Sequence, residues 1–388
     1  MLEFPALEEI LGMLIMNKEP QDTDQILPYG EMLRGFMEQP FVTKGDLKQV
    51  LRNRGIFTHT TEKANMIPIL ISTILSPREF DFLKECQISK EDNPKVITRT
   101  IKFDSQETLF DSIPEILDVN SILDLAYANF KVTGSPSFIP IDNNHERIKI
   151  DFIVERKDMS KNWATVKNIF FGSLELSKTV GTDEVKIVIT HTAPETRQVA
   201  TKLASHMVEH FKDKGLIDSS ANVERILFSR FSNPKRISYL FSLTKESCSQ
   251  MLEFIDIVDV QFSPDIINPL PEGIDWMEQK ITDLKLNGRT LHQTIFFTDI
   301  KYHNFIRLYN VDSKFKFDVK GLTGQCVFSV GFPDYSKEKN LNSEMEVNIK
   351  SISFDNSSIN VSKSEVKQIL LREIENQKIN SFKLYLDT

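Results

Sequence analysis

A chain of 388 residues, 40% hydrophobic and 26% charged, carries ample apolar material for packed cores and is long enough to expect two or three domains. Its formal net charge of −8 excludes coating a nucleic acid or an anionic membrane through bulk charge, so any such contact needs a local basic patch. The three cysteines, Cys86, Cys248 and Cys326, lie far apart with no CxxC pair, which excludes a disulfide framework or a cysteine-built zinc site.

The segment Met1-Leu2-Glu3-Phe4 lacks the basic start of a signal peptide. The longest apolar run, around Met66 to Leu75, is too short for a bilayer and contains Pro68. A cytoplasmic protein with no membrane partner is expected. No repeat at periods of roughly 20–50 residues is visible, which argues against a solenoid or propeller.

Residues 1–92 read as a helical module. Leu7, Ile10, Leu11, Leu14 and Ile15 follow an amphipathic stripe. Thr43-Lys44-Gly45-Asp46 resembles a capping box that opens a helix with Leu47, Val50 and Leu51 on one face, and Gly55 is suited to stop it. Ser76-Pro77-Arg78-Glu79 starts a further helix.

Residues 95–262 alternate strand and helix patterns, as expected of an α/β domain. Strands are predicted at Val96–Phe103, Phe138–Ile141, Ile148–Val154, Val185–Ile189 and Val223–Phe228. Helices are predicted over Ile122–Phe130, after Ser160 (through Trp163, Val166, Phe170 and Leu174), and after Thr192-Ala193-Pro194-Glu195.

Residues 270–388 are strand-rich. Phe315, Phe317 and Val319 alternate with charged residues, and Gly321 to Gly324 supply turn chemistry before Val327–Phe332. Ser362-Lys363-Ser364-Glu365 opens a helix through Val366, Ile369, Leu370 and Ile374, and Phe382, Leu384 and Leu386 predict a closing strand. The fold class is therefore α+β: an N-terminal helical module, a central α/β domain and a C-terminal strand-rich α+β domain that would serve assembly.

Two stretches point to nucleic acid. Residues 43–63 hold Lys44, Lys48, Arg52, Arg54 and Lys63 against Asp46 and Glu62, a local balance of 5 − 2 = +3. Lys48 and Arg52 fall i, i+4 on the helix surface, where they could reach phosphate oxygens or simply be solvated. The run Asp46–Ile56 resembles the first half of a SAP-type helix–extended–helix module, over residues 42–75, which implies DNA binding. Further on, Arg225, Arg230, Lys235 and Arg236 interleave with Phe228 and Phe231, a pattern that binds single strands or forms a core with a basic rim.

Asp142 ends one predicted strand, and Glu155-Arg156-Lys157 ends the next. Over residues 138–190 this resembles the PD-(D/E)xK nucleases. The resemblance implies Asp142 and Glu155 as Mg²⁺ ligands and Lys157 as the group that orients the attacking water. Otherwise these are solvated strand-end charges and no cofactor is expected. His206-Met207-Val208-Glu209-His210 matches the HxxEH string of the inverzincin metallopeptidases, but Glu209 points away from the histidine border of that helix.

Two functions follow as expectations. One is a non-catalytic nucleic-acid-binding or complex-forming component of the kind encoded in prokaryotic antiviral defence operons, with a protein partner or oligomer. The alternative is a Mg²⁺-dependent nuclease.

Overall fold

Turn chemistry sets the pairing of the strands. Asp142 and Asn143 both take left-handed backbone (φ 54° and 57°), as do Lys320 and Gly321 (φ 52° and 81°). Two consecutive residues of this kind make the tight hairpin whose twist matches that of antiparallel strands. The computed structural model describes residues 30–38, 42–59, 62–80, 82–83, 93–114, 117–123, 130–157, 167–178, 183–245, 251–265, 269–278, 281–355 and 363–386. The expected helix at Leu7–Ile15 lies outside them, as do Cys86 and Cys248. The chain divides into two units, residues 1–91 with 156–168, and residues 92–155 with 169–388.

The first unit is helical: α1 (Met32–Glu38), α2 (Lys44–Asn53) and α3 (Lys63–Ile71). In α2 the Thr43 side chain accepts from Asp46 N, and Thr43 N donates to Asp46 Oδ2 at 2.7 Å, which meets two otherwise orphaned donors. Gly55 leaves the helix at φ 73°. Leu47, Val50 and Leu51 pack with Leu33, Phe36 and Met37 of α1 and with Met66, Ile67 and Leu70 of α3. Ser76 and Glu79 form the second predicted cap.

The second unit contains one sheet of twelve strands, and every pairing described in it is antiparallel. The strands are β1 (Lys95–Lys102), β2 (Phe130–Thr133), β3 (Ile139–Ile141), β4 (Asn144–Lys157), β5 (Lys167–Lys178), β6 (Glu184–His191), β7 (Glu224–Arg225), β8 (Leu252–Pro264), β9 (Leu284–Asn287), β10 (Ile306–Val319), β11 (Leu322–Gly331) and β12 (Glu346–Phe354). Their order is β2-β4-β5-β6-β1-β12-β11-β10-β8-β9, with β3 on β4 and β7 on β1. The central and C-terminal strands thus share a single sheet, and the α+β class holds.

Long helices follow two of the meanders. β4-β5-β6 leads into α4 (Pro194–Asp213), and β10-β11-β12 leads into α6 (Lys363–Phe382); α5 (Asn233–Lys245) precedes β8. Residues one apart on a strand point to opposite faces. On β1, Val96 joins the core that holds Val366, Leu370 and Ile374 of α6, whereas Ile97 and Ile101 join the core that holds Val199, Leu203 and Met207 of α4. The two helices therefore cover opposite faces of the sheet, and β1 contributes to both cores.

Several expectations are corrected. Residues 167–178 form β5, not a helix: a four-residue spacing such as Phe170–Leu174 suits period 2 as well as 3.6, and both residues are buried on one strand face. Trp163 and Val166 lie outside the described residues. The helix expected over Ile122–Phe130 is confined, among the described residues, to Val119–Leu123, and Phe130 opens β2. The strand expected at Val223–Phe228 shrinks to β7, followed by a 3₁₀ turn at Phe228–Arg230. The closing strand is absent: Phe382 ends α6, and Leu384 N and Tyr385 N bond back to Ser381 O and Phe382 O as a helix-terminal turn.

Candidate nucleic-acid interface

Folding the N-terminal module sorts its cations into two groups. Arg54 is committed to the fold: its Nε and Nη2 fork onto Glu79 at 2.6 Å each, Nη1 donates to Thr73 Oγ1, and Nη2 also reaches Ile74 O. The Arg54 hydrogen bonds hold the Glu79 carboxyl down at about 2. Lys63 donates to the carbonyls of Met37 and Glu38 at the end of α1. Lys44 pairs with Glu62 at 2.7 Å on an exposed surface, where such a pair contributes little.

Lys48 and Arg52, one turn apart on the outer face of α2, form no ion pair among the described residues. Arg52 is exposed and Lys48 half-buried. The connector that leaves this helix carries Phe57 at 80% exposure, an aromatic ring the sequence did not mark.

The second basic stretch folds inward. Arg236 is buried, with its guanidinium 3.6 Å from the centroid of the Phe228 ring. It donates to the carbonyls of Leu308, Phe228 and Phe231 and to Asn233 Oδ1. Phe228 stacks on Tyr335, and Phe231 on Tyr239. Arg230 stays half-exposed, with Glu224 at 3.8 Å. Arg236 and the two phenylalanines thus belong to the core, and Arg230 to its rim.

The structure does not bring Asp142 and Glu155 together. Asp142 sits in the β3–β4 turn, its side chain 87% exposed with Arg147 at 3.9 Å. Glu155 lies at the far end of the fourteen-residue β4, with Lys131 at 3.9 Å. At ~3.3 Å per strand residue the two are separated by roughly 35 Å. The side chain of Lys157 lies outside the described residues. Among the described residues no group of three or more His, Cys, Asp or Glu could hold a metal ion. His210 faces the Ser112 carbonyl at 3.1 Å, and burial with the nearby Lys214 lowers its pKa. Burial pushes the Cys326 thiol up to about 12, far from a reactive thiolate.

A run of buried charges where β1 meets β12 had no signal in the sequence. Arg99 of β1 forks onto Glu344 at 2.8 and 2.9 Å. His191 lies 3.1 Å from Glu346, with Lys95 on its other side at 3.4 Å. Arg197 forks onto Asp334. On the opposite face Thr98 donates to Glu375, which also holds the fully buried Lys378. In these three ion-pair clusters the basic side chains come from β1, β6 and α4 and the acids from residues 334–346. Apart from Glu375 and Lys378, one helical turn apart, the partners lie 137 to 277 positions from each other, so no local pattern could have found them.

Residues 31–93 match the family model of the GAPS4b protein N-terminal domain, a defence-associated family. No curated protein matches the chain. Among solved structures, the crystal structure of the di-domain ARO/CYC StfQ from the steffimycin biosynthetic pathway is 7% identical, over 75% of this chain and 97% of that one, with a TM-score of 0.17. The crystal structure of DynU16, from the dynemicin biosynthetic locus, is 8% identical over 75% and 95%, with a TM-score of 0.13. Neither the SAP resemblance nor the PD-(D/E)xK resemblance is confirmed by these similarities. No described helix is long and apolar enough to cross a membrane.

Proposed function

We propose that the chain is a component of an antiviral defence complex whose N-terminal helical module contacts nucleic acid through Lys48 and Arg52. The observation that carries this reading is a coincidence of place. The defence-associated match over residues 31–93 spans the module in which these two cations lie on the outer face of α2 with no ion pair among the described residues. Phosphate contacts of this kind need no bulk positive charge, only two or three unpaired cations on a rigid helix. Phe57, in the following connector, adds a face on which a base can stack. Arg230 lies on the other unit, and Arg54 and Arg236 act in the fold. Mg²⁺-dependent cleavage is not part of the reading, because Asp142 and Glu155 stand at opposite ends of β4.

The test is the affinity of the full chain for duplex DNA, duplex RNA and single strands across a salt series, read by fluorescence anisotropy. Replacing Lys48 and Arg52 together by Glu is expected to reduce the slope of log affinity against log salt by about two phosphate contacts' worth. An unchanged slope, or no binding by the unaltered chain at low salt, would overturn the proposal.

A further inference from the structure

Between α4 and the strands beneath it lies a cleft of about 220 Å³. Arg99 forms part of its wall and is only 9% exposed. Glu344 takes Nε and Nη2 of this guanidinium, and Nη1 has no hydrogen-bond partner among the described residues. Along α4, Ser205, Glu209 and Lys212 line the same opening at i, i+4 and i+7, the spacing of one helix face. Neither Glu209 nor Lys212 forms an ion pair among the described residues. Ile187 and Val208 supply apolar wall.

We propose that this cleft binds a small organic anion, a carboxylate or phosphate monoester carried on a single ring or short branched chain. Arg99 Nη1 and Lys212 take the anionic oxygens, and the hydrocarbon part lies against Ile187 and Val208. Glu209 accepts a hydrogen bond from a hydroxyl or amino group of the ligand and repels a second anionic group. Water can satisfy Nη1 in an empty cleft, but an anionic oxygen adds the attraction of opposite charges to the hydrogen bond in a place screened from bulk solvent. The volume falls below the ~300 Å³ at which drug-sized pockets begin, which limits the ligand to about one ring. Glu344 holds the guanidinium in place, so the site is preorganised and loses little side-chain freedom on binding. None of these residues belongs to the N-terminal module, so the inference stands or falls independently of nucleic-acid contact.

The experiment is calorimetric titration of the full chain with benzoate, phenyl phosphate, inorganic phosphate and the neutral control benzyl alcohol. Benzoate or phenyl phosphate is expected to saturate the protein, the better of the two identifying the head group, while benzyl alcohol does not bind. Lys212→Ala is expected to weaken the better anion by about tenfold. Ser205→Trp, at an exposed position, is expected to close the mouth and abolish binding with the melting temperature unchanged. Arg99 is left intact because its removal would strand Glu344. The inference is overturned if neither aromatic anion binds, if inorganic phosphate binds as tightly as phenyl phosphate, or if the two variants bind like the parent.

Discussion

Arg99 and Glu344 meet as a two-pronged ion pair, Nε to Oε1 at 2.8 Å and Nη2 to Oε2 at 2.9 Å, both side chains almost wholly buried where β1 approaches β12. In the described register only Lys95 and Val96 of β1 pair with β12, against eight residues that pair with β6. The backbone ladder is thus short at this joint, and side-chain ion pairs extend it.

Removing one partner of such a pair leaves an uncompensated charge in a poorly solvated place. Glu344→Ala is expected to destabilise the protein by about 3–5 kcal/mol, measured by urea unfolding. The double replacement Arg99→Met with Glu344→Leu is expected to recover most of that loss. Equal destabilisation by the single and double variants would show that the pair is not coupled.

Glu346 makes the same joint sensitive to acid. Burial works against its ionisation, but the hydrogen bond and charge of His191, with Lys95 and Arg197, more than offset this and hold the carboxyl down from 4.5 to about 2. A depressed folded-state pKa contributes stability that is fully present above the unfolded value and is lost as pH falls towards the folded one. Stability measured by urea midpoints should therefore decline from about pH 4.5 down towards 2, and Glu346→Gln should flatten that decline while lowering stability at pH 7. An acid limb identical in the variant would assign it to other carboxylates.

In the helical module, Glu79 gathers Arg54 and the Ser76 cap on one carboxylate. Glu79→Ala is expected to cost the module about 1.5–3 kcal/mol, as for hydrogen bonds to charged groups. The loss should appear as faster amide exchange across residues 42–80, with exchange in β10 and β11 unchanged. Arg54→Ala should behave alike, which separates a folding role for Arg54 from the phosphate contacts assigned to Lys48 and Arg52.

Gly324 tests the sheet itself. A Cβ there would lie 2.1 Å from the Ser353 carbonyl oxygen and 2.7 Å from the Phe317 ring, and the backbone oxygen has nowhere to go. Gly324→Ala is expected to destabilise by about 3 kcal/mol or more in thermal melts. Gly45→Ala in α2, whose Cβ would meet only Thr43 Oγ1 at an ordinary 3.5 Å, is expected to be neutral or to stabilise by about 0.5–1 kcal/mol.

Local chemistry was legible because it acts over a few residues. The Thr43–Asp46 box, the Pro194 start of α4, the turn at Gly55 and the alternation of Phe315, Phe317 and Val319 all stand where spacing alone placed them. The helix expected over residues 160–174 failed for an equally local reason, since Phe170 and Leu174 satisfy both periods. The candidate site was half legible: helix periodicity put Lys48 and Arg52 outside, but it could not reveal that Glu79, 25 residues beyond Arg54, would claim that third cation.

What the sequence determined by itself is therefore the class of the chain: the α+β composition, the capped helices, the hairpins and the lack of bulk positive charge. Only the tertiary structure decided that two meanders with their long helices share one sheet with cores on opposite faces, that Arg236 belongs under Phe228, and that Asp142 and Glu155 stand far apart. The physical reason is range. Caps, turns and periodicity are set by neighbours within a turn or two, whereas Arg99 with Glu344 and Thr98 with Glu375 are 245 and 277 positions apart and meet only once the chain between them has folded.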